Sequence, residues 1–367
     1  MMAREAHDPI TPPLNVRRGA FSRAVLRWYR VHGRHDLPWQ ADRDPYRIWV
    51  SEIMLQQTQV ATVIPYYERF IRRFPDIASL AGAPIDAVLD CWTGLGYYAR
   101  ARNLHRAAHS IQRQHAGVFP RALLAVIALP GIGRSTAGAI LSFADQQRHP
   151  VLDGNVRRVL ARYFAVAGDP TRKATQNVLW DRADLVLPRQ GGRAADFNQA
   201  MMDMGALVCT RTRPDCGACP LEPGCLGYAM GNPLRFPGRP ARRPRPARQT
   251  TMLILIDPGG RVLLERRPAP GIWGGLWSFP ECPAKVMPQA WCRDVFGIPV
   301  RPLAPWAPIE QGFTHFTLTI WPQLLRVSGA DSVKLGHRGS WIRPGAPGRR
   351  GLAAPVTRLL KQLDSAL

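Results

Sequence analysis

Four cysteines lie close together and constrain this chain more than any other feature of its sequence. Cys209, Cys216, Cys219 and Cys225 are separated by six, two and five residues, in a loop that contains proline and glycine. Four thiols at this spacing can bind zinc or an iron–sulfur cluster, and the spacing does not choose between them. Disulfides are disfavoured because Met1–Arg18 has no apolar secretory core, which predicts a cytosolic chain.

The balance of charge indicates a polyanionic partner. The 367 residues include 49 Lys and Arg against 26 Asp and Glu, a net charge of +23. Such a charge favours nucleic acid, with a membrane surface as the competing interpretation. No uninterrupted apolar run approaches the roughly 20 residues of a membrane-spanning helix. We therefore expect a cytoplasmic protein of the bacterial cytosol or nucleoid, with no membrane association. The sequence has no internal repeat or long heptad pattern, so we expect a monomer.

The segment 129–136, Leu-Pro-Gly-Ile-Gly-Arg-Ser-Thr, predicts a tight turn between two helices. Gly131 and Gly133 allow the bend, and the helix that follows has free N–H groups at its start. Such a helix start binds an anion, and a nucleic-acid phosphate is the natural one, with Ser135 and its neighbours as further donors. The alternative interpretation is a plain connection between helices.

Asp153 begins the next helical pattern, in the run 151–158, Val-Leu-Asp-Gly-Asn-Val-Arg-Arg. An aspartate at this position is commonly a helix N-cap, and that role is compatible with catalysis. The helix dipole and free N–H groups keep such a carboxylate ionised, which suits an anion beside a developing cation. Asn155 is a candidate for orienting Asp153 or a water molecule.

A second acid, Glu52, lies in a helix that we expect from about Tyr46 through Val60, after the capping pair Asp44-Pro45 and an upstream turn, 37–39, that exposes Trp39. A glutamate in the first two turns of a helix is commonly solvated. Its neighbours Trp49, Ile53 and Leu55 are apolar, however, and a carboxyl against apolar groups has a raised pKa and can donate a proton near neutral pH. The following amides, 56–59, can read base edges or fill a gap in a duplex.

These motifs together resemble one family. The segments 51–60 and 92–104, the hairpin at 129–136, Asp153 and the cysteine loop occur in the order typical of MutY-type adenine DNA glycosylases, which belong to the helix-hairpin-helix DNA glycosylase superfamily. The resemblance extends from about Phe21 to Leu363. It implies an all-α catalytic region and a [4Fe–4S] cluster held by the four cysteines.

The resemblance also implies residue roles. Glu52 protonates the base, Asp153 stabilises the sugar cation, and Asn155 orients one of the reacting groups. The residues implied to contact DNA or the adenine pocket are Trp39, Leu55, Gln57, Tyr97, Gly131, Gly133, Ser135 and Gln199. For Tyr97 the alternative is core packing, which we prefer for Tyr98, and for Gln199 it is a buried amide that satisfies the backbone. Ser135 occupies the position of the nucleophilic lysine of bifunctional relatives, which implies base removal without strand cleavage.

In the C-terminal third of the chain, the sequence pattern changes from helices to short strands. A Pro- and Arg-rich connector, 233–249, precedes short strand patterns, one of them from Phe313 to Trp321, and two helices. This α+β region resembles the Nudix-like domain of the family. The helix segment 290–296 has no glutamate, whereas Nudix hydrolases bind magnesium through a glutamate cluster, so we expect binding without hydrolysis. Phe313, Thr314 and His315 match the family's Phe-Ser-His loop, which implies contact with 8-oxoguanine.

The sequence therefore predicts a multi-domain chain: an all-α helix-hairpin-helix glycosylase core with an iron–sulfur loop, followed by an α+β Nudix-like domain. The expected ranges are a flexible N-terminus at 1–19, the catalytic region at 20–208, the cluster loop at 209–226, the linker at 227–249 and the 8-oxoguanine recognition domain at 250–367. The expected activity is excision of adenine paired with 8-oxoguanine or guanine in double-stranded DNA. The alternatives are a non-catalytic iron–sulfur DNA-binding or redox protein and a nucleotide pyrophosphatase.

Overall fold

A computed structural model describes residues 18–189, 192–238, 244–268, 271–283, 286–328 and 339–366. The predicted flexible segment 1–19 lies almost wholly outside the described residues, as does the middle of the predicted linker, 239–243. Contacts divide the chain into two compact units. The first unit comprises Met1–Ile71 and Ala107–Arg242, and the second comprises Arg72–Arg106 and Arg243–Leu367.

Helices account for most of the first unit. In the described part of the chain the α-helices are α1 (Arg18–His32), α2 (Pro45–Leu55), α3 (Val60–Arg73), α4 (Ile77–Gly82), α5 (Ile85–Cys91), α6 (Ala99–Gln114), α7 (Leu123–Ile127), α8 (Arg134–Asp145), α9 (Gly154–Tyr163), α10 (Lys173–Val186), α11 (Ala194–Asp203), α12 (Leu226–Ala229), α13 (Pro288–Phe296) and α14 (Ala354–Asp364).

The helix starts follow the local sequence. Asp44 caps α2 by accepting a hydrogen bond from the Tyr46 N–H, with Pro45 as the first helical residue. Phe21, Val25 and Trp28, the apolar face predicted for α1, are all buried in a core shared with α9, α10 and α11. This packing fixes α9, which begins immediately after Asp153, against the end of α11.

The second unit contains a mixed sheet. Its described strands are β1 (Ala247–Ile256), β2 (Val262–Arg266), β3 (Trp277–Ser278), β4 (Glu281–Cys282), β5 (Val300–Pro302), β6 (Ile309–Gly312), β7 (Thr317–Val327) and β8 (Gly339–Ile342). The main order is β3-β2-β1-β7-β5; β1 and β7 are parallel, with Arg248 opposite Leu318, and the other pairs are antiparallel. Helix α13 packs on one face around Cys292 and Phe296.

The segment 72–106 belongs to this second unit, and its side chains are tied to the C-terminal part of the chain. The Tyr98 hydroxyl donates to the Leu352 carbonyl at 3.0 Å, and the Leu352 N–H donates to Thr93 Oγ1 at 3.3 Å. Arg102 Nη1 donates to the Gly274 carbonyl at 2.5 Å. Tyr98 is buried, as its packing interpretation predicts.

Two expected elements differ from the structure. A strand was expected from Phe313 to Trp321, but β7 begins at Thr317, because 313–316 form the turn that joins it to β6. Helix α2 was expected to continue to Val60, but it ends at Leu55, and the amide run 56–59 forms a turn in which Gln57 has a positive φ of 58°. Among the described helices, none combines the length and apolarity that crossing a membrane requires.

Candidate active site

Asp153 is the N-cap of α9. Its Oδ1 accepts a hydrogen bond from the Val156 N–H at 2.7 Å, and its Oδ2 accepts one from Asn155 Nδ2 at 3.3 Å. The pKa of Asp153 is raised, because burial outweighs the hydrogen bonds and the nearby Arg158 and Arg157, which act to lower it. The capping role and a functional role therefore use the same carboxylate.

Glu52 lies in the last turn of α2, not in the first two turns as expected. It is half-buried. Burial first, and the Asp153 carboxylate second, raise the pKa of Glu52 to about 8. A carboxyl near a helix C-terminus also lacks the dipole stabilisation that Asp153 has. Glu52 is therefore protonated at neutral pH, and the structure brings it within electrostatic range of Asp153.

Arg158, one turn into α9, holds the loop around Asp153. Its Nη2 donates to Asn155 Oδ1 at 2.9 Å and to the Gly205 carbonyl at 2.5 Å, and its Nε donates to the Cys209 carbonyl at 2.7 Å. Because Asn155 in turn donates to Asp153, one guanidinium links the carboxylate to the start of the cysteine loop.

The hairpin before α8 has the geometry that its glycines predict. Gly131 has a positive φ of 83°, which favours glycine, and Gly133 is the N-cap of α8. A Cβ on Gly133 would meet no described atom within 4 Å. Ser135 Oγ accepts a hydrogen bond from the Leu152 N–H at 3.0 Å and so fixes the residue that precedes Asp153.

Trp39 was expected to be an exposed aromatic, and this is wrong: it is 7% exposed. Its ring packs edge-on against Tyr67, with centroids 5.4 Å apart, in a short 3₁₀ segment, Pro38–Gln40, that contacts α2. Leu55 is half-buried at the end of α2, and Gln57 is exposed in the following turn. Gln56 Nε2 donates to Thr136 Oγ1 at 3.3 Å, which ties this turn to the hairpin helix α8.

Gln199 lies in α11 and is bound by a carboxylate, not by the backbone. Its Nε2 donates to Asp203 Oδ1 at 2.9 Å. Asp203 is fully buried and also accepts from the Arg34 backbone N–H at 2.8 Å and from Arg34 Nε at 2.9 Å. Because a carboxylate only accepts, the Gln199 amide must turn its NH₂ toward Asp203 and its Oε1 away from it.

The second unit holds Tyr97 and the residues 313–315. Tyr97 is 50% exposed with a positive φ of 48°, and its hydroxyl and Thr314 Oγ1 form a hydrogen bond of 3.0 Å. Phe313 is half-buried, and Thr314 and His315 are exposed. The exposed side chains thus form a polar tip beside an exposed aromatic ring.

The four cysteines line one small cavity, together with Arg162 and Tyr228. Arg162 is 3% exposed; its Nη1 donates to Cys209 Sγ at 3.2 Å and to the Thr210 carbonyl at 2.7 Å. Burial, with the neighbouring cysteines Cys209, Cys225 and Cys216, raises the pKa of Cys219 to about 11. Burial likewise raises the pKa of Cys216 and Cys225.

No three His, Cys, Asp or Glu side chains in the described ranges are grouped so as to hold one metal ion. Cys91, Cys282 and Cys292 are buried, as expected of packed thiols. The structure therefore brings the predicted site residues together in three groups. Glu52, Asp153 and Asn155 form a group in the first unit, Tyr97 pairs with Thr314 in the second, and the four cysteines surround their own cavity.

Four residues of the site had no role in the sequence interpretation: Arg34, Arg158, Arg162 and Asp203. Spacing offered a signal for two of them, because Asp203 follows Gln199 by four residues, and Arg158 follows Asn155 by three, on one helix face. Arg34 gives no such signal, because it meets Asp203 only through the fold.

Comparisons with known proteins define the class. Residues 50–184 match the HhH-GPD superfamily of base excision DNA repair proteins, and residues 251–362 match the NUDIX domain. A thermostable thymine-DNA glycosylase of known structure superposes on 58% of this chain and 97% of its own, with a TM-score of 0.53 and 29% identity. The helical core with its hairpin and acidic pair is thus that of a DNA glycosylase, a hydrolase of base excision repair, followed by a Nudix-like domain.

Two relatives identify the family within this class of DNA glycosylases. The adenine DNA glycosylase of Buchnera aphidicola subsp. Baizongia pistaciae is 35% identical over 343 residues, which cover 94% of this chain and 96% of the relative. The adenine DNA glycosylase of Homo sapiens is 35% identical over an alignment that covers 88% of this chain and 70% of the relative. The chain belongs to the adenine DNA glycosylase family, which confirms the expected fold and family.

Proposed function

We propose that this enzyme hydrolyses the N-glycosidic bond of adenine paired with 8-oxoguanine, and less efficiently with guanine, and leaves an abasic site. The observation that carries the proposal is the pair Glu52 and Asp153. Their environments differ in the way that acid and anion roles require, since burial and Asp153 raise the pKa of Glu52 to about 8 while hydrogen bonds counteract the rise at Asp153. The relatives named adenine DNA glycosylases support adenine as the base.

Double-stranded DNA is the proposed partner of a monomer. The base must leave the helix to reach the acid pair, because its glycosidic bond is inaccessible inside a stacked duplex. The hairpin supports phosphate binding: Gly133 has open space where a side chain would lie, so a reason for glycine there is close approach of a phosphate to the N–H groups of α8. Gln57 and Tyr97, both exposed, are proposed to enter the duplex.

The proposed chemistry begins with the Glu52 proton, which transfers to N7 of adenine. The C1′–N9 bond then breaks, its electron pair leaves with the neutral base, and the sugar becomes an oxocarbenium ion. Asp153 stabilises this cation, and Asn155, fixed by Arg158, orients the carboxylate. The ionised Glu52 accepts a proton from water as the water oxygen bonds to C1′, which restores the acid.

Monofunctional action is proposed because Ser135 offers a hydroxyl in place of an amine. Its Oγ already accepts from the Leu152 N–H, so the side chain is held toward the backbone. A Schiff base with the sugar needs an amine. The product strand should therefore remain intact until alkali is added, and spontaneous cleavage at the rate of base release would contradict this part of the proposal.

The adenine pocket is proposed to include Trp39, Leu55 and Gln199. Gln199 presents its Oε1 away from Asp203, and this acceptor is complementary to the amino group of adenine. In the second unit, Thr314 and His315 are proposed to contact 8-oxoguanine opposite the adenine. Helix α13 contains no glutamate, which supports binding without hydrolysis. Magnesium-dependent hydrolysis of an oxidised nucleoside triphosphate would overturn that assignment.

A [4Fe–4S] cluster is proposed as the cofactor of the four cysteines. Cys209, Cys216, Cys219 and Cys225 line one cavity and would hold the cluster, and the resemblance of their spacing to the family's cluster loop supports iron–sulfur. When bound, the cluster would fix the loop that carries Arg211 and Arg213. Iron analysis of purified protein tests the proposal, and zinc in place of iron would overturn it.

The decisive experiment is single-turnover adenine release from duplexes with adenine opposite 8-oxoguanine, guanine or thymine, for the wild type, Glu52→Gln and Asp153→Asn. Release opposite the first two, and its loss by about 100-fold or more in both variants, is expected. Wild type that binds the duplexes but releases no base would instead favour a non-catalytic iron–sulfur DNA-binding or redox protein.

A further inference from the structure

Phe313 and Phe316 flank a two-residue hairpin tip. The Phe313 N–H donates to the Phe316 carbonyl at 2.9 Å, after the pair formed by Gly312 and Thr317, so that only Thr314 and His315 lie at the tip. Two-residue hairpins favour residues with positive φ. Neither Thr314 nor His315 is among the residues with positive φ. The tip residues therefore do not fix the turn by themselves.

Aromatic packing beside the tip stabilises the turn, which Thr314 and His315 do not fix by themselves. The rings of Phe313 and Phe316 are stacked, with centroids 4.5 Å apart and planes at 18°. Trp273 packs on Phe313 with centroids 5.5 Å apart. Guanidinium groups lie at both ends: Arg248 is 4.6 Å above the Phe316 ring, and Arg267 is 5.9 Å above the Trp273 ring. We call Trp273, Phe313 and Phe316 the aromatic stack. Ring pairs of this kind stabilise a fold beyond the effect of their buried area.

Trp273 maintains its contact in an unfavourable backbone conformation. Its φ is +53°, a region that is unfavourable for a residue with a Cβ atom. Arg267, which precedes the turn, stabilises it with two hydrogen bonds. Its Nε donates to the Ile272 carbonyl at 2.8 Å, and its carbonyl accepts from the Gly275 N–H at 3.1 Å. Glycine would satisfy this backbone at lower cost, so the indole ring is the reason for tryptophan here.

We propose that Trp273 and Arg248 are positioning residues for the hairpin tip: they hold the aromatic stack, which fixes Thr314 and His315 for discrimination between 8-oxoguanine and guanine. This inference rests on the proposed function and deepens it. Both positioning residues belong to the second unit, whereas the acid pair belongs to the first. Their loss should therefore lower selectivity for the opposite base and leave the chemistry of adenine release unchanged.

Trp273→Gly is the sharpest variant, because it relieves the backbone strain and removes the ring. Equilibrium binding is measured in a Glu52→Gln background, which retains the adenine, on duplexes with 8-oxoguanine or guanine opposite adenine. The ratio of the two affinities is expected to fall about tenfold, equal to about 1.4 kcal/mol, through weaker binding of the 8-oxoguanine duplex. Trp273→Phe should restore most of the ratio, and Arg248→Met should lower it.

Trp321→Ala is the matched control, because this tryptophan of β7 is 42% exposed and lies outside the aromatic stack. The affinity ratio of Trp321→Ala should equal that of the Glu52→Gln parent. The melting temperature of Trp273→Gly should not fall below that of the parent. If the Glu52→Gln parent prefers the 8-oxoguanine duplex and Trp273→Gly leaves the affinity ratio unchanged, only the positioning role is overturned. If the parent binds the 8-oxoguanine and guanine duplexes equally, both this role and the proposed recognition of 8-oxoguanine are overturned.

Discussion

Glu52 and Asp153 interact electrostatically, and burial raises the pKa of both carboxyls, while hydrogen bonds counteract the rise at Asp153. The pKa of Glu52 is raised by burial and by the Asp153 carboxylate, to about 8. Asp153 accepts hydrogen bonds from the Val156 N–H and from Asn155 and lies near Arg158, all of which favour its anion against burial. At neutral pH Glu52 therefore carries a proton, and the hydrogen bonds of Asp153 favour its anion.

The rate of adenine release should depend on this proton. We expect the single-turnover rate to fall above pH 8, by about tenfold per pH unit, as Glu52 loses the proton that it must donate. Glu52→Gln should reduce the rate by about 100-fold or more and should lack this alkaline limb. If the residual rate of Glu52→Gln fell at the same alkaline pH as that of the wild type, the ionisation would belong to another group.

The same pKa shift predicts a stability effect. The pKa of Glu52 is raised from 4.5 to about 8 on folding, so its contribution to stability is complete below pH 4.5 and is lost as the pH rises through 8. At pH 7 the loss is about 3 kcal/mol, at about 1.36 kcal/mol for each pH unit above 4.5. Glu52→Gln should therefore unfold at higher urea concentration than the wild type at pH 7.5, and at a similar concentration at pH 4.5. The exposed Glu68→Gln serves as the control, and an equal gain in it would contradict the assignment.

Local sequence determined much of this site. Asp44 and Asp153 are helix N-caps, as their positions predicted, because the capping hydrogen bond forms within three residues of the cap. Gly131 has the positive φ that a tight hairpin needs. Such features depend on a few neighbouring residues, so they can be read without the fold.

Long-range partners could not be predicted in the same way. Trp39 was expected on the surface because it lies in a turn, but it packs on Tyr67, whose approach depends on how α3 folds back. The bond between Arg34 and Asp203 spans 169 residues, and that between Tyr97 and Thr314 spans 217. Nothing in either local sequence identifies the partner, since only tertiary packing brings them together.

Asp203→Asn tests the orientation of Gln199. An asparagine can donate as well as accept, so the Gln199 amide would no longer be forced to present Oε1. We expect adenine release to fall by about tenfold or more, with a smaller preference for adenine over hypoxanthine, which carries a carbonyl in place of the amino group. Parallel rates on the two bases measure this preference. An unchanged preference in a folded variant would show that Asp203 does not set the amide.

Arg158→Lys tests the link between Asp153 and the cysteine loop. One ammonium group cannot serve the Asn155 side chain and the carbonyls of Gly205 and Cys209 together, as the guanidinium does. We expect the release rate at saturating enzyme to fall by about tenfold. Arg157→Lys, at the neighbouring position, should alter DNA affinity more than this rate. Equal losses of rate in both variants would indicate a general effect of charge and not a specific link.

Gly205→Ala tests how closely the turn after α11 approaches Asn155. A Cβ on Gly205 would lie 2.5 Å from Asn155 Cβ and 2.9 Å from its Cα, so the start of α9 must move away from the turn. Overpacking of this kind costs about 1–3 kcal/mol. Because Asn155 donates to Asp153, the release rate should fall by about tenfold or more, even under conditions in which the variant is fully folded. Gly82→Ala, whose Cβ would meet no described atom within 4 Å, should change neither the urea midpoint nor the rate. A Gly205→Ala enzyme with normal release would show that Asp153 tolerates movement of Asn155.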